Sequence, residues 1–221
     1  MADRVAKDAL FDALASVAKA LGSGRRAELV DVLMQGERRV EDLAVEIGQT
    51  VANTSQHLQL LLRTGLVRTR RDGPRVYYSL AGEEIAQLWR TMRQVAHRHV
   101  TQLDELAAAY LGDRTEMETI GREELAERLR AGDVVVVDVR PIAEFDAGHL
   151  PGAINVPPDE LDRRLGDLPN GPQVVAYCRG PYCVYADDAV RALTARGRLA
   201  LRLVDGLPEW AAAGLPVQAT A

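Results

Sequence analysis

No cysteine occurs before position 178, and the chain of 221 residues has only two, Cys178 and Cys183. Two thiols so close together cannot staple a chain this long, so they read as reactive groups in a reducing compartment and not as a structural framework. Their absence from the first half also excludes a soft-metal thiolate site there. No apolar run is long enough to span a bilayer, and Met1-Ala2-Asp3-Arg4 lacks the basic start and apolar core of a signal peptide. A cytoplasmic protein with no membrane partner is expected. A strong excess of either charge is missing too. Up to Thr115 there are 16 basic and 15 acidic residues, and after it 11 and 17, so the net −5 is carried by the second half and no overall charge announces nucleic-acid binding. What is present, 47% hydrophobic and 27% charged residues, suits two small globular domains.

The two cysteines frame a loop. Gln173 to Tyr177 has the length and β-branched content of a buried strand, and Val184 to Arg196 carries Ala186, Val190 and Leu193 at helical spacing. Cys178 therefore falls at the end of a strand facing the start of a helix, with Arg179, Gly180, Pro181, Tyr182, Cys183 and Val184 forming the turn between them. Loop amides, the helix's positive end and the Arg179 guanidinium all favour an anion, which predicts an acidic Cys178 thiol and a thiolate nucleophile at neutral pH.

Ahead of this stretch, Asp3 to Ala20 reads as an amphipathic helix, and Arg25 to Gln35 as a second one capped by Ser23. Val40 to Ile47 and Val51 to Arg63 are two short helices around Gly48-Gln49-Thr50, the form of a helix-turn-helix. On the fourth helix Val51, Leu58 and Leu61 are expected to face inward. Asn53, Thr54, Ser55, Gln56, His57 and Gln59 are left near its first turns, where amides, hydroxyls and imidazole reach base edges or phosphates. Gly65 to Leu80 is a hairpin around Asp72-Gly73, and from Arg63 to Arg75 five arginines face one aspartate. Arg68, Arg70, Arg71 and Arg75 are its expected phosphate contacts. Glu83 to Leu111 is read as one long helix whose apolar stripe, from Ile85 to Tyr110, exceeds what one domain face needs.

Ser55-Gln56-His57-Leu58, Gly65-Leu66-Val67, Arg71-Asp72-Gly73 and Val76-Tyr77-Tyr78 together resemble the winged helix of ArsR/SmtB-type bacterial repressors, over roughly residues 5 to 110. The resemblance implies a homodimer, formed through the first helix and the Glu83–Leu111 helix, on partly palindromic double-stranded operator DNA. Metal sensing, common in such repressors, is not expected. Glu41 to Glu46 contains no cysteine, and His97 and His99 are two apart on a helix, pointing in different directions. Neither a metal nor a cofactor is predicted.

Beyond a charged link at Leu111 to Glu118, strands and helices alternate for about a hundred residues, implying a parallel sheet covered on both faces with its ligand at the strands' C-terminal ends. Asp138-Val139-Arg140, Gly148-His149-Leu150-Pro151-Gly152-Ala153, the Cys178-Arg179 loop and Gly206 to Trp210 resemble a single rhodanese domain over roughly residues 116 to 217. That resemblance implies a Cys178 nucleophile that attacks a sulfur donor such as thiosulfate or polysulfide and holds the sulfur as a persulfide in a cradle of loop amides. Arg140 is expected to contact the anion, while His149 and Asp138 fix loops. Pro181 supplies no amide, and Cys183 stands where a cationic or hydroxyl residue is often found, so thiosulfate turnover is expected to be slow. Cys183 is also placed to attack a Cys178 persulfide.

The expected fold class is thus two domains, a mainly-α winged helix-turn-helix (1–112, DNA binding and dimerisation) followed by an α/β parallel-sheet rhodanese fold (116–217). The leading functional reading is a dimeric repressor whose operator affinity responds to persulfidation of Cys178. The alternative is a rhodanese-type sulfurtransferase with an autoregulatory winged helix. A cysteine phosphatase or arsenate reductase is disfavoured, because the arginine needed six residues after the nucleophile is Val184.

Overall fold

Helix α1 (Arg4–Leu21) starts where the Asp3 carboxylate accepts from the Val5 amide at 3.0 Å, in a computed structural model that describes residues 3–169 and 171–220. Its last turn buries Ala20 and Leu21, while Val5, Leu10, Phe11 and Leu14 stay exposed, Leu14 at 63%. Next comes α2 (Gly24–Leu33), for which Ser23 serves as N-cap through its carbonyl, its side chain making no cap bond. Strand β1 (Arg38–Arg39), α3 (Val40–Glu46), α4 (Val51–Arg63), β2 (Val67–Asp72), β3 (Arg75–Leu80) and α5 (Glu83–His99) complete the first unit. The hairpin closes with Asp72 opposite Arg75, leaving a two-residue turn in which Gly73 takes φ +56°, a value that favours glycine. Together the strands form an antiparallel sheet in the order β1-β3-β2.

Leu29, Leu43, Ile47, Leu58, Leu61 and Leu66 form the core of this unit, and Ile85, Leu88 and Trp89 of α5 pack against it. Asp31 of α2 ties α5 in place, accepting from Trp89 Nε1 at 2.6 Å and Arg93 Nη1 at 3.2 Å.

The helix expected over Glu83–Leu111 is two helices, α5 and α6 (Leu103–Leu111). Val100 and Thr101 are consecutive β-branched residues, poor in a helix, and the Leu103 amide closes a turn on the Val100 carbonyl at 3.0 Å. The chain divides here as well, into compact units Met1–His99 and Val100–Ala221.

The second unit contains α6, β4 (Thr119–Ile120), α7 (Arg122–Ala131), β5 (Val134–Asp138), α8 (Ile142–Ala147), β6 (Ile154–Asn155), α9 (Leu161–Arg164), β7 (Gln173–Cys178), α10 (Tyr185–Ala195), β8 (Ala200–Gly206) and α11 (Leu207–Ala212). Its five strands are all parallel, in the order β4-β8-β7-β5-β6. The two-residue period of a strand sorts the core into two layers. Val174, Ala176 and Cys178 point to the face covered by α9 and α10, and Val175 and Tyr177 to the face covered by α7 and α11. Val174, Val175, Ala176 and Tyr177, from both layers, are fully buried. Among the described residues no helix is long and apolar enough to cross a membrane.

Candidate functional site

The parity of β7 decides what Cys178 meets. Its side chain is on the α10 face, where Cys183 also packs, and the two sulfurs are joined in a disulfide with the Cα atoms 6.3 Å apart. Between them the loop is narrow: the Cys183 amide donates to the Gly180 carbonyl at 3.2 Å, Pro181 and Tyr182 form the turn, and Val184 is the N-cap of α10. Behind the loop lies Gly206, opposite Cys178 in the β7–β8 register. A Cβ on Gly206 would be 2.3 Å from the Arg179 carbonyl and 2.4 Å from the Gly180 nitrogen, so only glycine allows this approach.

Two expectations for the loop's charge need correction. Arg179 does not serve as a free cation beside the sulfur, because its guanidinium pairs with the buried Glu144 carboxylate (Nη2–Oε1 2.6 Å) and lies over the Tyr185 ring. Nor is Arg140 open to a ligand anion in the loop, since the anion it meets is Asp138. Arg140 is fully buried, with Nε 3.0 Å from Asp138 Oδ1 and Nη2 donating to the Gly148 carbonyl at 2.6 Å. Burial pulls on the Arg140 charge, yet the Asp138 carboxylate outweighs it and raises the guanidinium's pKa. Asp138 also accepts from the Tyr177 hydroxyl, which in turn accepts from the Leu150 amide at 3.0 Å. Burial first, and then the Asp138 charge, push the Tyr177 pKa far above its usual value. His149 fixes the adjoining loop, its Nδ1 2.8 Å from the Phe145 carbonyl and its ring stacked on Phe145 at 3.8 Å.

The positive charge under the loop comes from residues that the sequence did not single out. Arg202 of β8 donates to the Gly180 and Pro181 carbonyls, both at 3.2 Å, and its Nε lies 2.7 Å from Asp187 Oδ1. Arg114 donates to the Pro181 carbonyl at 2.9 Å and the Cys183 carbonyl at 3.1 Å, and its Nε meets Asp187 Oδ2 at 2.6 Å. Asp187 is fully buried between them. Burial lowers the Arg202 pKa, the neighbouring Arg114 charge adds to that, and Asp187 opposes it. Because a trans peptide sets its N–H against its C=O, holding the Pro181 and Cys183 carbonyls turns the Tyr182 and Val184 amides away from the arginines. One signal was available beforehand. Arg202 is a lone charge in the apolar run Leu199 to Val204, and a buried charge must find a partner.

In the first unit α4 begins at Thr50, whose hydroxyl accepts from the Asn53 amide at 3.2 Å. Its inward face is Thr54, Leu58 and Leu61. Thr54, expected outward, is fully buried, and its Oγ1 has no hydrogen-bond partner. Val51, expected inward, is 46% exposed, since the first residue of the helix overhangs the edge of the core. Asn53, Gln56 and Gln59 are exposed, and Ser55 and His57 are half-buried. On the wing, Arg68, Arg70, Arg71 and Arg75 are exposed. Arg70 is ion-paired with Glu37 and lies 4.7 Å over the Tyr77 ring, and Arg68 donates to Ser79 Oγ at 3.2 Å. The Arg70 guanidinium holds the Glu37 carboxyl below its usual range. Among the described residues no three His, Cys, Asp or Glu side chains gather as metal ligands would.

Comparison with known proteins matches both halves. Residues 23–69 fit the model of the bacterial regulatory protein, arsR family, and residues 121–213 fit that of the rhodanese-like domain. The HTH-type transcriptional regulator Rv0324 of Mycobacterium tuberculosis is 48% identical over 211 residues, covering 96% of this chain and 92% of that protein. A sulfurtransferase of Allochromatium vinosum is 36% identical over 45% of this chain and 94% of its own length. Among solved structures, the homodimeric winged helix-turn-helix domain of Mb0332 from Mycobacterium bovis (fragment 1-100) is 44% identical, covers 46% of this chain and 93% of that one, and has a TM-score of 0.42.

Proposed function

The chain belongs to the arsR family of bacterial regulatory proteins and carries a rhodanese-like domain, and from that premise we propose that it is a cytoplasmic repressor whose grip on operator DNA is set by sulfur chemistry at Cys178 and Cys183. It is a DNA-binding transcriptional regulator. In the proposed form two copies associate through the exposed apolar face of α1 and the free part of α5, and each presents α4 and the wing to one half of a partly palindromic site.

The observation that carries the sulfur reading is the pairing of the two cysteines across the strand-to-helix loop. With both cysteines reduced, the Cys178 thiolate attacks the sulfane sulfur of a persulfide or polysulfide, forming an S–S bond and releasing the donor's remaining thiolate. With thiosulfate the leaving group is sulfite. The Cys183 thiolate then attacks the sulfur of Cys178 itself, giving the disulfide and expelling hydrosulfide, so the donor's sulfane sulfur is the oxidant. Gly180, Pro181, Tyr182 and Val184 shape the loop, and Arg179 holds it to Glu144.

The test is mass spectrometry of the Cys178–Cys183 peptide from reduced protein, before and after polysulfide or thiosulfate, with operator affinity measured on the same samples. A sulfur adduct or bridge accompanied by a change in affinity is expected. Modification with unchanged affinity overturns the reading.

The likeness to a sulfurtransferase over the second unit supports a second reading, an enzyme with an attached DNA anchor. Steady sulfur transfer by the full-length Cys183→Ser variant, with operator binding indifferent to the donor, would decide for it.

A further inference from the structure

We propose that Arg114, in the segment between α6 and β4 of the second unit, is a positioning residue that latches this segment to the cysteine loop when Cys178 and Cys183 are bonded and releases it when they are not. The proposal rests on the reading of that pair as the responsive site. Cys183 is held in the disulfide form by its sulfur to Cys178, by its carbonyl to Arg114 Nη2 at 3.1 Å and by its amide to the Gly180 carbonyl at 3.2 Å. The same guanidinium takes the Pro181 carbonyl at 2.9 Å and the buried Asp187 carboxylate at 2.6 Å. Arg202 shares that carboxylate and the Pro181 carbonyl from the sheet side, so the loop backbone rests on two cations joined by one anion.

The segment has other ties, among them the Thr115 amide donating to Asp113 Oδ1 at 2.9 Å and the Arg202 amide donating to the Glu118 carbonyl at 3.0 Å. The Asp113 carbonyl accepts from Arg191 at 3.2 Å, and the Met117 amide closes a turn on the Arg114 carbonyl at 3.1 Å. A cavity of about 400 Å³ bordered by Asp113, Met117, Val190 and Thr194 lies beside it, giving the segment room to shift. Opening the S–S bond frees Cys183 to leave the position at which its carbonyl meets Arg114. Because coupling between two equilibria is reciprocal, whatever the disulfide does to fasten Arg114, Arg114 does to favour the disulfide.

The experiment uses the full-length protein, wild type, Arg114→Ala and Arg114→Lys, equilibrated in glutathione redox buffers. There two glutathione thiols reduce the disulfide to two cysteine thiols and leave as glutathione disulfide. Mass spectrometry after acid trapping reads the thiol–disulfide equilibrium, and hydrogen exchange reads the amides of residues 113–118. Arg114→Ala is expected to shift the equilibrium toward the dithiol by about tenfold, roughly 30 mV for a two-electron couple. Arg114→Lys is expected to shift it in the same direction, because a point charge cannot span three acceptors as a guanidinium does. In the wild type, oxidation is expected to slow exchange at 113–118, and in Arg114→Ala it is not. The latch is overturned by equal equilibria in wild type and Arg114→Ala, or by wild-type exchange at 113–118 that ignores the loop's state. Operator affinity on the same samples separates the two ideas: a segment that responds while affinity stays constant supports the latch and overturns the sulfur-controlled repressor.

Discussion

Arg140 and Asp138 form an ion pair with neither partner in contact with water, and the Tyr177 hydroxyl and the Gly148 carbonyl complete its hydrogen bonds. Removing one member leaves the other charged and buried. Arg140→Met is therefore expected to destabilise the second unit by about 3–5 kcal/mol, read as a lowered urea midpoint. Tyr177 gives a pH signature. Its folded pKa is raised above the unfolded value of about 10, so from that pH upward the unfolded chain loses a proton that the folded chain keeps. Stability should fall as pH rises past about 10, and Tyr177→Phe should lack that component of the decline in alkaline unfolding curves. None of this was visible in the residue types alone. Asp138-Val139-Arg140 marked a loop at a strand's end, but whether its arginine faces a ligand or the core depends on which groups lie beneath it.

Helix α4 shows how far a periodic reading goes. Its length, ends and two of its three inward residues follow from the spacing of apolar residues, yet that spacing takes Val51 as the third inward residue and leaves Thr54 outward. The buried face is Thr54, Leu58 and Leu61, which leaves the threonine Oγ1 without a hydrogen-bond partner and Val51 exposed at the first position of α4. Thr54→Val is expected to hold or raise stability by up to ~1–2 kcal/mol and to leave operator affinity unchanged. A large loss of affinity in a titration with the operator would restore Thr54 as a DNA contact.

The wing divides similarly. Its hairpin and arginine cluster were legible, but the Glu37 pair was not, because Glu37 is 33 residues from Arg70 in sequence. Arg71→Ala should reduce the slope of log affinity against log salt by about one, the loss of one phosphate contact. Arg70→Ala should reduce it less, and Glu37→Gln should strengthen binding uniformly across sequences by freeing a cation.

Across the whole molecule the two halves announced themselves through different signals: a helix-turn-helix with a basic hairpin in one, alternating strands and helices around a cysteine loop in the other. The join was harder to read. An apolar stripe continues through Val100 while the backbone does not, and Arg114 in the charged link reads as one solvated residue among several until the loop carbonyls are seen above it. The exposed apolar residues of α1 make the association of two copies testable, since such a face on a lone protein is unusual. Leu14→Glu is expected to yield monomers in sedimentation and to weaken operator binding at least tenfold.

Gly206 sets the direction in which the cysteine loop can yield. Its bare Cα backs the Arg179–Gly180 peptide so closely that a methyl group finds no room, which makes the end of β8 an anvil. A persulfide lengthens the Cys178 side chain by one sulfur, about 2 Å. On the proposed sulfur reading that length would fall on the α10 face, where Cys178 points and Cys183 packs, while Gly206 denies the Arg179–Gly180 backbone any retreat toward β8.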